Sequence, residues 1–213
     1  MLEKLPDAIG HALRDVRAGL DNTVFNQSGL RTGLAAITVS SLAFADHAPI
    51  PVLYTADGVG LSPPLQWSGV PAGTSSVVLI VEDADAPMPR PLVHAIVVDL
   101  PSDNNGALAE GALSSPDPAS ETLHQGRNSL LSASWLPPDP PPAHGQHRYV
   151  FQVFALGPTP DDASFGSTPG RDEVLDAIRS RALASGCLVG TYERHDSSIR
   201  DSSAEPTGQL SAI

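Results

Sequence analysis

The sequence predicts a mostly β domain with a few peripheral helices, and three features carry that expectation. Four short runs rich in β-branched and aromatic residues are separated by turn residues. Twenty-one prolines and eighteen glycines among 213 residues favour many turns over a helical bundle. Only two stretches repeat apolar residues at helical spacing. The length suits one domain with extensions: a leading helix and connector over 1–35, a β-rich domain over 36–195, and a polar tail without period over 196–213, read as mobile.

In chain order, "LPDAIGHALRDVRAGLDN" places Leu5, Ile9, Leu13, Val16 and Leu20 on one helical stripe, with Pro6 where helix starts favour it. A helix this short is marginal alone, so its stripe must cover the main domain or a second copy, which makes a homodimer one expectation. From residue 36 come the runs "ITVSSLAF", "SVVLIVE" (76–82), "LVHAIVVDL" (92–100) and "RYVFQVFAL" (148–156). Several are apolar on both faces, as strands covered from two sides are. Residues 101–142 are rich in Pro, Ser, Asp and Gly and read as a long irregular stretch over the sheet. "DEVLDAIRSRALASG" reads as a helix capped by Gly186, and "CLVGTYER" as a closing strand.

Twenty-four acidic against twelve basic residues give a formal charge of -12, which disfavours nucleic acid and anionic bilayers as partners. No apolar run is long enough to span a bilayer, and no signal peptide is legible. With a lone cysteine, Cys187, there is no disulfide framework, and a cytoplasmic location is expected.

Candidate chemistry gathers in two places. Strand alternation puts His147, Tyr149 and Phe151 on one face, and aligns His94 with Ile96 and Val98. Asp83 and Asp85 come after a strand, and continued alternation would turn both carboxylates to one side; the rival reading is a turn in which the side chains cap their own backbone. Pro87, Pro89 and Pro91 stiffen the segment beyond the aspartates, and "PPDPPPAHG" does the same beside His144, either as a site wall or as a plain spacer. Each histidine also has a plain structural reading as a hydrogen-bonded core group.

A catalytic metal would draw on Asp83, Asp85, His94, His144 and His147, giving a metal-dependent hydrolase. Against it, residues three apart on a strand face opposite sides, and no H-E-x-x-H occurs. Nor is there a G-x-S-x-G elbow or a glycine-rich phosphate loop, and Cys187 lies in an apolar strand context.

Four pieces in order, "DGVGLSPPLQWSGVPAGTSSVVLIVEDADAP", "VHAIVVDLP", "PPAHGQHRYVFQVFAL" and "LASGCLVGTYER", resemble the phosphatidylethanolamine-binding protein family in its bacterial Raf-kinase-inhibitor-like branch, over about residues 37–194. The resemblance implies a β-sandwich with a small anion pocket near the sheet's edge. That pocket takes phosphate-like groups, phospholipid headgroups or nucleotides, and several members act on kinases or proteases. It carries pocket roles to Asp83, Asp85, Pro87, His94, Pro140, Pro141, His147 and Tyr149. The rim departs from the family at Leu92, Trp135, Leu136 and Pro137, and Ala84 stands where proline is usual. The expectation is therefore a non-enzymatic binder of small phosphate ligands that uses no cofactor, with inhibition of a kinase or protease partner as the alternative.

Overall fold

The computed structural model describes residues 6–29, 35–114, 123–159 and 164–194; the expected tail over 196–213 lies outside them. The strands are β1 (Ala35–Ala36), β2 (Thr38–Ser40), β3 (Ala48–Pro49), β4 (Leu65–Ser68), β5 (Ser76–Asp83), β6 (Leu92–Leu100), β7 (Asn105–Leu108), β8 (His124–Gln125), β9 (His147–Leu156) and β10 (Ala182–Tyr192). The α-helices are α1 (Asp7–Leu13), α2 (Val24–Gln27) and α3 (Arg171–Arg181).

One sheet runs β1-β10-β9-β5-β6-β8, with β3 also paired to β10; a second runs β2-β4-β7. The expected β-sandwich is present, because the facing sides of the two sheets share one apolar core. Ile37, Val39, Leu65 and Trp67 meet Val77, Leu79, Val81, Val97 and Phe151 there. The opposite face of the large sheet buries Val78, Ile80, Ile96 and Phe154 against Val24, Val174, Leu175 and Ile178. Strands β5, β6 and β9 are therefore covered on both sides, which is why their sequences show no polar face.

Three expectations change. The leading helix stops at Leu13, well short of Leu20: Ile9 is 40% and Val16 47% exposed, so the apolar stripe is not what docks it. The chain turns extended instead, and the amides of Ala18 and Gly19 donate to the carbonyls of Ala86 and Ala84 (3.0 and 2.7 Å). Tertiary backbone pairing outweighs local helix preference here. In α3, the helix ends at Arg181 and Gly186 is a strand residue rather than a cap. A Cβ at Gly186 would stand 1.9 Å from the Ile37 carbonyl oxygen, so glycine permits the close approach of the chain to β10. The stretch 101–142, expected to be irregular, contributes β7 and β8 to the sheets.

Candidate functional site

Antiparallel pairing of β5 with β6 and β9 sets Asp83 opposite both Leu92 and Tyr149. The ends of three central strands thus bring residues 83, 94, 147 and 149 into one neighbourhood. The register between β5 and β6 shifts at Val81/Glu82, where Val81 pairs with Ala95 and Glu82 with Val93, leaving His94 outside the ladder count. Such a bulge re-aims a side chain. His94 accordingly faces Tyr149 (ring centroids 5.1 Å, edge-on) and Trp135 (6.0 Å) in the inter-sheet core, not the face of Ile96 and Val98 that unbroken alternation predicts. His147 and Tyr149 do share a face, with rings 6.4 Å apart.

The imidazole of His147 lies between Asp83 Oδ2 at Nδ1 (2.8 Å) and His144 Nδ1 at Nε2 (2.7 Å). His144 Nε2 meets the carbonyl of Leu13 (2.8 Å). That carbonyl only accepts, so His144 carries its proton on Nε2, and Nδ1 accepts from His147 Nε2–H. The remaining bond joins His147 Nδ1 to Asp83 Oδ2. Burial, then the neighbouring His147, depresses the pKa of His144, which keeps that ring neutral, as this arrangement requires. His147 is thus turned toward His144 rather than toward an open cavity.

The two aspartates part company. Asp83 Oδ1 accepts from the amide of Asp85 (2.8 Å), so the self-capping turn is real. Asp85 lies beyond the end of β5, where strand alternation no longer applies. Its carboxylate takes the Arg148 guanidinium by two bonds of 2.7 Å, the Arg148 amide (2.9 Å) and Arg17 Nη1 (3.1 Å). Burial raises the pKa of Asp85, but Arg148 and Arg17 more than offset that, and the net shift is downward.

Pro140 and Pro141 are buried, and their carbonyls are engaged. Pro140 accepts from Arg194 Nη1 (3.0 Å) and Pro141 from the amide of His144 (3.3 Å), while Ala143 turns the chain with φ of 59°. Arg194 pairs with Asp57 (2.7 Å) and with Asp139, locking the tract onto the end of β10, and these carboxylates hold its pKa above the ordinary value despite burial. Pro87 is half-buried at the close of the Asp83–Asp85 turn. Among the altered positions, Leu136 grips His94 through its backbone, its carbonyl accepting from Nδ1 (2.5 Å) and its amide donating to the His94 carbonyl (2.9 Å). Leu92 is half-buried, and Pro137 packs against Gly60.

With Nδ1–H committed to Leu136, neutral His94 presents a bare lone pair at Nε2, and that atom has no protein partner. Tyr149 Oη and Trp135 Nε1 are likewise buried and unpartnered. Among the described residues only one further side-chain atom shares this condition, Trp67 Nε1, beneath Gly106. Buried polar groups are rarely left so, each at a cost of about 1–3 kcal/mol. Burial lowers the pKa of His94, and burial followed by the Asp83 charge raises that of Tyr149 well above a free phenol. The cluster is covered: His94 is 2%, His147 1% and Tyr149 0% exposed, whereas the resemblance implies a pocket near the sheet's edge. Among the described residues, no three His, Cys, Asp or Glu side chains are placed to hold a metal ion, and no helix is long and apolar enough to cross a membrane.

Comparison with known proteins identifies the family. A model of the phosphatidylethanolamine-binding protein family matches residues 40–193. This chain belongs to the phosphatidylethanolamine-binding protein family. A UPF0098 protein of Aquifex aeolicus is 35% identical over 177 residues, covering 82% of this chain and 99% of that relative. A putative phosphatidylethanolamine-binding protein homologue from Chlamydia trachomatis superposes with a TM-score of 0.63 at 36% identity, over 75% of this chain and 98% of the other. YbcL of E. coli, described as a new member of the mammalian family, gives 0.66 at 26% identity, over 75% and 99%. The family match begins at residue 40, so the segment bearing Leu13 and Arg17 lies outside it.

Three contributors to the site are not assigned to it by sequence reasoning. His144 reads there only as a possible metal ligand and Trp135 only as a rim change. Arg17 carries no local signal at all, because its carbonyl partners lie 127 and 129 residues away.

Proposed function

We propose that this protein binds a small phosphate-bearing ligand, without turnover, at the inner ends of His94, Tyr149 and Trp135. The observation that carries the reading is a cluster of adjacent rings, His94 beside Tyr149 and Trp135, each bearing one buried polar atom without a protein partner. A fixed set of one acceptor, one indole donor and one phenol suits a phosphate oxygen with its hydroxyl or ester edge. The family's name points to phosphatidylethanolamine, whose headgroup is a phosphate ester.

The electrostatics specify more. Arg194, the cation nearest Tyr149 by its influence, is already balanced by Asp57 and Asp139. His94 is neutral, so a bare phosphate dianion would meet a lone pair rather than a donor. One proton must therefore accompany the ligand, either on the phosphate or on His94 Nε2. Tyr149, kept protonated, serves as a hydrogen-bond donor rather than a nucleophile, which supports binding over chemistry.

The test is a titration of histidine ring NMR signals with inorganic phosphate, phosphoethanolamine and a nucleoside monophosphate in separate arms. The reading expects the His94 signals to shift, and the arm that saturates first names the source of the phosphate. Signals unmoved by all three at millimolar concentration contradict it.

A further inference from the structure

The segment before β1 packs beside the candidate site, on His144, Gln146 and Asp85, and its two halves are held very differently. Downstream, Thr23 and Val24 are fully buried, the amides of Val24 and Phe25 donate to Glu82 (2.7 Å) and Gln152 (2.6 Å), and the Asn22 carbonyl accepts from Arg171 (2.6 Å). Upstream, from residue 6 to 18, Gly10 and Ala18 alone are buried, so no large apolar side chain anchors that half. It is held by polar contacts: the Ala18 amide to the Ala86 carbonyl (3.0 Å), Leu13 to His144, and Arg17 to the carbonyls of His144 (3.0 Å) and Gln146 (2.8 Å) and to Asp85. Gly10 touches the proline tract so closely that a Cβ there would lie 1.8 Å from the Pro142 oxygen. Between the halves stands Gly19, with φ of 90°, a conformation other residues rarely adopt.

We propose that residues 6–18 form a strap, hinged at Gly19, that closes the site in the resting protein and swings away to admit the phosphate ligand. An arm with a buried root, a glycine pivot and a latch of exposed or half-exposed polar bonds releases at small cost, since such segments open far more readily than the core. The latch also reaches the site's interior. When Leu13 withdraws, His144 Nε2 loses its acceptor and is free to turn, which releases His147 Nε2–H from its bond to His144. This inference rests on the binding reading above and adds that the closed strap lowers apparent affinity by the fraction of time the site is open.

The experiment compares wild type, Gly10→Ala and Arg17→Ala by calorimetric titration with inorganic phosphate, alongside hydrogen exchange at the amides of Ala18 and Gly19. Gly10→Ala forces the strap off the proline tract, and Arg17→Ala removes the arginine contacts of the latch without touching the core. Both variants are expected to exchange faster at these amides, with phosphate affinity raised about tenfold in Gly10→Ala and about threefold in Arg17→Ala. Should Gly10→Ala fail to fold, Arg17→Ala decides alone. Faster exchange with unchanged affinity overturns the strap and leaves binding intact. Exchange no faster than wild type in either variant also overturns it, because the latch then holds nothing. Absence of phosphate binding in all three proteins, with exchange accelerated in the variants, overturns the strap and the binding reading together.

Discussion

Tyr149→Phe separates the cost of the site from its use. The ring is fully buried, and its hydroxyl has no protein partner. Burying an unpaired hydroxyl costs about 1–3 kcal/mol, taking values from protein mutants. Removing the oxygen leaves a void of about 15 Å³, which at about 24 cal/mol per Å³ costs about 0.4 kcal/mol. The first effect wins, so the variant should be more stable by about 1 kcal/mol, or about 2–4 °C in Tm for a chain of this length. Ligand response should move the other way. Loss of one hydrogen bond to a charged phosphate weakens binding by about 1.5–3 kcal/mol, about tenfold to a hundredfold in Kd. Thermal unfolding with and without phosphate reads both effects in one experiment. A variant that melts lower than wild type, or one whose phosphate-induced rise in Tm is undiminished, would refute the reasoning.

The same geometry sets other outcomes. Phosphate affinity should rise as pH falls from about 8 to about 6, with net proton uptake in calorimetry run in buffers of different ionisation enthalpy, because a proton travels with the ligand; a flat profile speaks against neutral His94. The pKa of Asp85 is depressed in the fold, so its stabilisation is present above the unfolded value near about 3.9 and is lost as pH falls through the folded value. Urea melts of Asp85→Asn should therefore show a shallower acid limb than wild type, and equal slopes would contradict this. Arg171→Met strands Glu82, whose side chain is fully buried against Arg171 Nε at 2.6 Å. Chemical denaturation should show a loss of about 3–5 kcal/mol, and a loss under about 1 kcal/mol would mean that the Val24 and Gln152 bonds suffice.

Strands are legible in this sequence because their patterns are set by burial on two faces, which apolar runs record directly. "LVHAIVVDL" coincides with β6, and "SVVLIVE" is β5 less its final Asp83. Features that depend on register are hidden. His94 points to Trp135 because the ladder slips by one residue there, and no local residue marks the slip. Gly186 reads as a helix cap by position, yet serves a close approach to Ile37, which only the paired strands reveal. The leading helix is shorter than its periodic apolar stripe predicts for a similar reason: backbone bonds from Ala18 and Gly19 to the turn at Ala84 and Ala86 decide where it ends. The convergence of Asp83, His94, His147 and Tyr149 is foreseeable from motif and strand position. The chain of contacts from His147 through His144 to Leu13 is not, since its last link crosses most of the chain.

A crystal structure of the protein soaked in phosphoethanolamine tests the central claim most directly. The account predicts a phosphate oxygen bonded to His94 Nε2 and Tyr149 Oη, with the chain before Gly19 displaced from His144. A phosphate bound elsewhere, with His94 and Tyr149 still enclosed and unpartnered, would contradict it.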